Sequence, residues 1–257
     1  MLSGNQVKHI HSLKQKKFRE IYRQFLAEGS KLVKEILESQ YRVINVYAIA
    51  DWLKQNEDIL HSKQISFLEI SMAEMKRITA LSSPSPALAV AEIPEISSLP
   101  AVINDLVLVL DDIRDPGNLG TIIRIADWFG IKSIICSENT VDLYNPKVIH
   151  ATMGSAFRVN ILYANLKEFL SSLPLEIKVY GTFAQGVSIY TTPLEKRGII
   201  IIGSESSGIS DEISLKVTDK ISIPAYTKDS RHINHAESLN ASIATAIICS
   251  EFRRRMG

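Results

Sequence analysis

Asn118 and Arg124 are the first residues in the sequence whose types and spacing suit chemistry on a ligand. They lie in residues 111–130, directly after an apolar run, where Asp115-Pro116-Gly117 predicts a turn and Asn118 can cap the helix that follows. Arg124 lies six positions later, nearly two helical turns along and somewhat off the face of Asn118. A helix arginine is more often part of a surface ion pair than of a functional contact. The segment has neither a G-x-G-x-x-G pattern nor a P-loop, which disfavours a dinucleotide or triphosphate ligand.

Two later segments carry further polar residues at the ends of apolar runs. In residues 203–208, Gly203 and Gly208 bracket Glu205, which is typical of a backbone-lined pocket in which a carboxylate can hydrogen-bond a ligand. Taken alone, the same pattern also suits any surface turn. The last segment leads to Ser238 and Asn240 at the start of a long helical pattern. Ser238 is either the N-cap of that helix or, with Asn240, faces an active site at the helix end.

Continuous apolar runs predict the strands that must position these segments. Such runs are typical of parallel strands covered by helices on both faces; they occur at residues 106–110, 133–136, 177–181, 199–203 and 221–223. Helical periodicity follows at residues 119–130, 146–153, 166–171, 210–217 and 238–254. The alternation predicts an α/β fold with a doubly wound parallel sheet, whose ligand sites lie beyond the carboxyl ends of the strands.

The front of the chain predicts a smaller α/β domain. Helical patterns at residues 30–39, 51–60 and 71–79 alternate with extended patterns at residues 42–50, 63–67 and 88–92. Proline and serine are concentrated at residues 82–86 and 94–100, and a domain boundary usually falls in such a stretch. We therefore expect domains at residues 1–97 and 98–257, with the boundary near Ser97.

Charge is balanced overall but uneven along the chain. The 257 residues hold 29 Lys and Arg against 28 Asp and Glu, which excludes a global basic field for nucleic acid or membrane. Residues 1–34 nevertheless contain two acids, Glu20 and Glu28, and eight basic residues, namely Lys8, Lys14, Lys16, Lys17, Arg19, Arg23, Lys31 and Lys34. This cluster suits a phosphate backbone, and a solvated helix face is the alternative.

The N-terminal sequence, the short apolar runs and the cysteine usage indicate a cytoplasmic protein. The polar N-terminal residues lack the apolar core of a signal peptide, and no run reaches the roughly 18 apolar residues of a membrane span. Cys136 and Cys249 lie far apart without a ligand-spaced His or Cys beside them. We interpret both as buried thiols, with a catalytic or metal role as the minor alternative.

Three ordered motifs together resemble the SpoU (TrmH-like) family of RNA ribose 2'-O-methyltransferases in the SPOUT superfamily. The motifs are Asn118-x-Gly120-x-x-x-Arg124, Gly203-x-Glu205-x-x-Gly208, and Ile223-Pro224 with Ser238-Leu239-Asn240. Residues 146–159 also look like the family's stretch between its first two motifs, and the resemblance covers roughly residues 106–252. Residues 16–19 and 25–33 are similar to the substrate-binding domain that often precedes this domain.

This resemblance implies a homodimer whose C-terminal SPOUT domain is a parallel-sheet domain with a deep trefoil knot, preceded by the smaller α/β RNA-binding domain. It implies S-adenosylmethionine as cofactor and 2'-O-methylation of ribosomal RNA, with transfer RNA as the alternative substrate. The rival hypothesis is a non-catalytic RNA-binding relative. The implied cofactor residues are Gly203, Glu205, Ile223 and Leu239. The implied catalytic residues around the ribose are Asn118, Arg124, Glu205, Ser238 and Asn240. The resemblance implies that Arg124 is the residue assigned to proton removal. A guanidinium, however, stays protonated unless strongly perturbed, and it can equally bind a phosphate through two hydrogen bonds.

Residues 225–237 depart from the family pattern. Relatives usually have a short glycine-containing segment here, whereas this one is longer, lacks glycine and carries Lys228, Arg231, His232 and His235. With Asp229 and Glu237 the histidines could be taken for a metal site, but spacing this loose is more typical of a polar loop. We expect no metal and a loop that becomes ordered when cofactor or RNA binds.

Overall fold

A computed structural model of the chain describes residues 1–95, 99, 103–226 and 238–255. The chain forms two compact units, one of Met1–Ile96 with Asp142–Arg158, the other of Ser97–Val141 with Val159–Gly257. The boundary expected near Ser97 lies outside the described residues, as does most of the atypical segment, residues 227–237. The trefoil knot depends on the chain path through that segment and stays a prediction.

Helices and strands alternate along most of the chain. The helices are α1 (Gly4–Ser12), α2 (Lys16–Tyr22), α3 (Ser30–Glu38), α4 (Ala50–Gln55), α5 (Glu57–Ser62), α6 (Met72–Ile78), α7 (Pro116–Trp128), α8 (Pro146–Thr152), α9 (Leu166–Ser171), α10 (Asp211–Ser214) and α11 (Ala241–Arg254). The strands are β1 (Gln24–Glu28), β2 (Val43–Ala48), β3 (Ser66–Glu69), β4 (Ala87–Glu92), β5 (Leu106–Asp111), β6 (Ser133–Cys136), β7 (Asn160–Tyr163), β8 (Val179–Ser188), β9 (Gly198–Gly203) and β10 (Asp219–Ser222).

The first unit is built on a four-stranded sheet of order β1-β4-β2-β3. Strand β4 pairs antiparallel with β1 and β2, and β2 pairs parallel with β3. Because helices cover it, β4 is buried almost along its whole length, with side chains such as Leu88 and Val90 packed against Ile10 and Met75. The expected helix over residues 51–60 is instead two helices, α4 and α5, because the backbone leaves the helical region at Asn56.

The segment Asp142–Arg158 belongs to the first unit, although it follows β6 in sequence. The ring of Phe25 lies 4.7 Å from that of Tyr144 and 6.4 Å from that of Phe157, centroid to centroid. Arg158 forms an ion pair with Glu35. Gly154, at φ +99°, packs so closely on Glu35 that a Cβ would lie 2.9 Å from its Cγ. Aromatic packing and ion pairing therefore hold this segment at both ends.

Arg19 is not part of an exposed cationic cluster, so that expectation is wrong. Its side chain is 3% exposed and donates to Asp142 Oδ2 from Nε at 3.1 Å and from Nη2 at 2.5 Å, and to the carbonyl of Leu13 at 2.9 Å. The misassignment has a simple cause: the acid that pairs with Arg19 lies 123 positions away in sequence. Lys14 is also engaged, since its Nζ donates to the carbonyl of Thr79 at 2.7 Å.

The second unit contains a six-stranded sheet of order β10-β8-β9-β5-β6-β7, and every neighbouring pair is parallel. The α/β prediction and its five strands are confirmed, with shifts of a few residues at their ends and a longer β8. Strand β7 was missed because it lies at the sheet edge, where buried and exposed positions are mixed and no continuous apolar run forms. Helix α10 is shorter than the expected 210–217.

Helices α7 and α11 pack side by side and run in the same direction. Asn240, at the start of α11, bonds to Asn118 in the first turn of α7, and Arg253 near the other end donates from Nε to the carbonyl of Phe129 at 2.8 Å. Beyond α11, Arg255 donates to the carbonyl of Thr192 at 2.7 Å and pairs with Glu251. Hydrogen bonds from Arg254 and Arg255 lower the pKa of the Glu251 carboxyl to about 2. The end of α11 is thus fixed by charge-assisted contacts.

The cysteine prediction is confirmed. Cys136 and Cys249 are both buried free thiols, and burial raises the pKa of both, that of Cys249 to about 12. A thiolate is therefore disfavoured at either position.

Within the described ranges, no helix is both long enough and apolar enough to cross a membrane.

We predict that Arg19→Ala lowers the free energy of unfolding by about 3 kcal/mol, because it leaves the Asp142 carboxylate without its ionic partner. Chemical denaturation would measure the change. Lys16→Gln is the control: its pair with Glu20 is exposed at 3.8 Å, so we expect a change below about 0.5 kcal/mol. Equal effects of the two substitutions would contradict the structural role of Arg19.

Candidate active site

Two of the candidate segments start side by side at the carboxyl ends of neighbouring strands. Strands β5 and β9 are parallel partners, and their last residues, Asp111 and Gly203, are paired in register. The carboxylate Oδ2 of Asp111 also accepts from the backbone N–H of Ser210 at 2.8 Å, which holds the segment after β9 against the end of β5. The parallel sheet therefore positions both segments at one edge.

Asp115 caps α7, and Asn118 does not. The Asp115 carboxylate accepts from the backbone N–H of Asn118 at 2.8 Å, with Pro116 in the first helical position. The expectation that Asn118 is the cap is wrong, because an aspartate before a proline at N1 is itself a strong cap signal. As a member of the first turn, Asn118 has a side chain free to bond elsewhere.

The segment after β9 closes on itself through backbone contacts. Ser204 and Gly208 exchange backbone hydrogen bonds of 3.0 and 2.9 Å, and Gly208 has φ +68°. A Cβ at position 203 would lie 2.2 Å from the carbonyl carbon of Gly208, so only glycine fits there. Closure of the loop explains both glycines and leaves Glu205 at the turn between them.

Asn240 is the N-cap of α11, so the interpretation of Ser238 as the cap is wrong. Asn240 Oδ1 accepts from the backbone N–H groups of Ser242 at 3.0 Å and Ile243 at 3.3 Å, and from Ser242 Oγ at 2.6 Å. Both Asn and Ser are strong caps, and the sequence alone does not place the first turn to within two residues. Ser238 and Leu239 precede the helix and are exposed.

The three segments converge on one oxygen of Glu205. Its Oε1 accepts from Asn118 Nδ2 at 2.9 Å, from Asn240 Nδ2 at 2.5 Å and from the backbone N–H of Ala241 at 3.3 Å. Asn240 Nδ2 also donates to Asn118 Oδ1 at 2.9 Å. An ionised carboxylate is a pure acceptor, and its partners here are all donors. We call Asn118, Glu205 and Asn240 the Glu205 cluster.

Arg124 lies outside the Glu205 cluster. Six residues along α7 place it about 9 Å beyond Asn118 and about a third of a turn around the axis. Its side chain is exposed and has neither a hydrogen bond nor an ion pair with any residue in the described part of the chain. The guanidinium is therefore available to an anionic or hydroxyl-bearing ligand.

Sequence reasoning missed the unusual backbone conformation of Asp112, directly after β5. Asp112 adopts φ +60°, its backbone N–H donates to Ser137 Oγ at 2.9 Å, and its carboxylate pairs with Arg114 at 2.8 Å. A non-glycine residue in the left-handed region next to a polar cluster is a recurrent sign of a functional site. No sequence signal indicates that conformation at an aspartate.

The remaining candidate residues offer main chain and apolar surface. Gly203 ends β9, Ile223 follows β10 and is half-buried, and Leu239 is 46% exposed directly before Asn240. An apolar surface beside main-chain polar groups at strand ends fits a ligand with a flat heterocycle and polar substituents. The residues present are thus compatible with S-adenosylmethionine.

Comparison with known proteins agrees with this architecture. Residues 105–250 match the SpoU rRNA Methylase family, and residues 4–89 match the MRM3-like substrate binding domain. The chain is 31% identical over 252 residues to the 23S rRNA (guanosine(2553)-2'-O)-methyltransferase RlmP of Bacillus subtilis, covering 97% of this chain and 96% of that protein.

Two solved structures extend the likeness to three dimensions. A TrmH-family protein from Porphyromonas gingivalis is 38% identical with a TM-score of 0.87, covering 99% of both chains. The AdoMet-bound rRNA methyltransferase from Sinorhizobium meliloti is 30% identical with a TM-score of 0.85, covering 100% of this chain and 97% of that one. The chain belongs to the SpoU rRNA methylase family, with a substrate-binding domain before the methylase domain, and the resemblance is confirmed.

We predict that Asn118→Asp destabilises the protein in a pH-dependent way. It replaces a donor to Glu205 by a second carboxylate, and repulsion raises the pKa of the introduced group above its unfolded value. The penalty is therefore present at high pH and is lost as protonation occurs. We expect a loss of about 2 kcal/mol near pH 8 that shrinks towards about pH 5, measured by thermal unfolding against the parent.

Asn145→Asp is the matched control for this substitution. Asn145 caps α8 through a bond from the backbone N–H of Lys147 at 2.9 Å, and Asp and Asn are equivalent caps. We expect little change at either pH. A pH-independent loss for Asn118→Asp would show that the Glu205 carboxylate does not face position 118.

Proposed function

We propose that this protein transfers a methyl group from S-adenosylmethionine to the 2'-hydroxyl of a ribose in ribosomal RNA. The observation that carries the proposal is the convergence of Asn118, Glu205 and Asn240 at the strand ends of a SpoU-family domain. Ribosomal RNA is favoured over transfer RNA because RlmP and the Sinorhizobium meliloti protein are both named as rRNA methyltransferases. We infer that the protein acts in the cytoplasm, where that substrate would be found.

The cofactor would be held by the main chain at Gly203, by the apolar side chains of Ile223 and Leu239, and by polar contact with Glu205 or its loop. When bound, it supplies an electrophilic methyl group on a sulfonium. The AdoMet-bound structure of the Sinorhizobium meliloti protein supports this assignment. The half-exposed Leu239 contributes the apolar surface that a heterocycle needs.

The polar residues of the chain bind and orient the ribose. Glu205 fixes Asn118 and Asn240 relative to each other. The hydrogen-bonding positions that the two amides leave unused therefore point in fixed directions. The exposed Ser238 adds a hydroxyl just before the α11 cap. Fixing the hydroxyl in line with the methyl group is a large part of the rate enhancement available to a displacement of this kind.

We propose that Arg124 binds the RNA next to the reacting ribose. Its guanidinium is exposed and unpaired within the described residues, and its planar fork matches the oxygens of a phosphate. Because a guanidinium keeps its proton in proteins, the residue acts as a positive group that holds the substrate in place for the transfer.

We predict that Arg124→Ala lowers methyl transfer to ribosomal RNA by at least about 100-fold while S-adenosylmethionine still binds, because the side chain contacts RNA and not the cofactor. Arg124→Lys should also fail, since an ammonium lacks the planar fork. Transfer of radiolabelled methyl groups and calorimetry with the cofactor separate the two effects. Arg197→Ala, at another exposed arginine of the same unit, should be fully active. Full turnover by Arg124→Ala would refute the assignment.

We also propose that the protein is a homodimer through the exposed side of α7 and α11. Trp128 on α7 is 85% exposed and Ile243 on α11 is 53% exposed, although the two helices pack on each other. Large apolar side chains exposed on paired helices are typical of a protein interface, and a second copy of this chain covers both.

We predict that Trp128→Glu shifts the protein from dimer to monomer, because it places a charge in the apolar contact. Sedimentation velocity over a range of concentrations would measure the shift. Leu215→Glu is the matched control, since Leu215 is also 85% exposed but lies after α10. Dissociation of neither variant, or of both, would contradict the proposed interface.

A further inference from the structure

The exposed side of α2 carries an aromatic ring in an unusual setting for a solvent-facing helix. Tyr22 is 45% exposed and Ile21 is 59% exposed at the end of this helix. Lys17 and Ile21 are four residues apart, as are Phe18 and Tyr22, so the four side chains form two adjacent rows. We call these four residues, with His9 of α1, the Tyr22 surface.

The ring of Tyr22 is held in place by its neighbours. Phe18 lies nearly parallel to it, with centroids 6.3 Å apart and an interplanar angle of 14°. The ring of His9 meets it edge-on at 4.9 Å, and His9 Nε2 is itself 2.8 Å from Gln24 Oε1. A ring fixed on two sides loses little conformational entropy when a ligand stacks on its exposed part.

The same helix carries exposed positive charge. Lys17 is exposed and forms no ion pair with a described residue, and Lys16 has only its exposed pair with Glu20. Glu20 is the single acid in residues 1–23, and Arg19 points away into its buried pair with Asp142. The positive charge on the Tyr22 surface is therefore carried by Lys17, with which no acid in the described part of the chain pairs.

We propose that the Tyr22 surface binds single-stranded RNA by stacking an unpaired base on Tyr22 while Lys17 contacts the adjacent phosphate. Sequence-tolerant recognition of single strands combines an aromatic platform with a cationic path for the backbone. A protein partner fits less well, because lysine is depleted at the centres of protein interfaces. Duplex RNA is read through phosphates and 2'-hydroxyls and makes no use of an exposed ring. The proposal rests on the proposed function, since it names how the substrate is held.

Photocrosslinking would locate the contact directly. The probe is a mixed-sequence single-stranded RNA of about 12 nucleotides that contains 4-thiouridine; this length lies within the usual site size of one binding module. The RNA is irradiated with the full-length protein, and the crosslinked tryptic peptides are sequenced. We expect crosslinks on the peptide of residues 20–23, which contains Tyr22. Crosslinks confined to other peptides would overturn the proposal.

Binding measurements test the stacking itself. Tyr22→Leu keeps apolar bulk but removes the ring, so affinity for the same single strand should fall by about 5- to 150-fold, the loss expected for one stacked base. Tyr22→Phe should retain affinity, because stacking does not need the hydroxyl. Lys17→Gln should make the slope of log affinity against log salt shallower by about the amount expected for the loss of one phosphate contact.

Phe67→Leu is the matched control. Phe67 is 42% exposed and also meets a histidine edge-on, His61 at 6.0 Å, but that histidine pairs with Glu57. We expect no change in RNA affinity from this substitution. Equal losses for Tyr22→Leu and Phe67→Leu, or parent-like affinity for Tyr22→Leu, would overturn the proposal.

The test does not depend on catalysis, because all binding is measured without S-adenosylmethionine. If the parent binds the single strand through Tyr22 but methylates no ribosomal RNA, the proposed function fails and the surface stands. If the parent methylates ribosomal RNA and Tyr22→Leu binds and methylates it equally well, the surface fails and the proposed function stands.

Discussion

One carboxylate oxygen, Oε1 of Glu205, holds together three segments that are separated by up to 122 positions in sequence. It accepts from two side-chain amides and one backbone N–H, and hydrogen bonds to a charged acceptor are stronger than those between neutral groups. The positions of Asn118 and Asn240 relative to each other follow from this acceptor. Any substrate contact that these amides make is therefore set before the substrate arrives, which is how preorganised sites stabilise a transition state.

Local conformational preferences bring the acceptor and its donors to the same edge of the sheet. Asp115 starts α7 so that Asn118 falls in its first turn, and loop closure between Gly203 and Gly208 places Glu205 beyond β9. Asn240 has two functions at once: its Oδ1 caps α11 and its Nδ2 bonds to Glu205 and Asn118. Because capping and site assembly share this residue, the start of α11 and the geometry of the cluster cannot vary independently.

The sequence predicts what depends on local pattern and misses what depends on distant partners. The second sheet was predictable because buried parallel strands are continuous apolar runs, and β6 was placed to the residue; β7 was missed because an edge strand lacks such a run. The motifs identified Asn118, Glu205 and Asn240, but not that they share one oxygen. The capping roles given to Asn118 and Ser238 were wrong, since several good caps lie within a few residues and only packing selects among them.

Arginine shows most clearly why composition alone cannot locate an RNA-binding surface. Arg19 and Arg255 direct their guanidinium groups at carboxylates and carbonyls of the protein, whereas Arg124, of the same residue type, has no such partner in the described part of the chain. The chain carries a net charge of only +1, so attraction for a phosphate backbone must come from cations that the fold leaves unpaired. Each internal pair removes one cation from the set that can release counterions on binding. The salt dependence of RNA binding therefore reports the number of free cations near the RNA, and it will be smaller than the eight basic residues at positions 1–34 suggest.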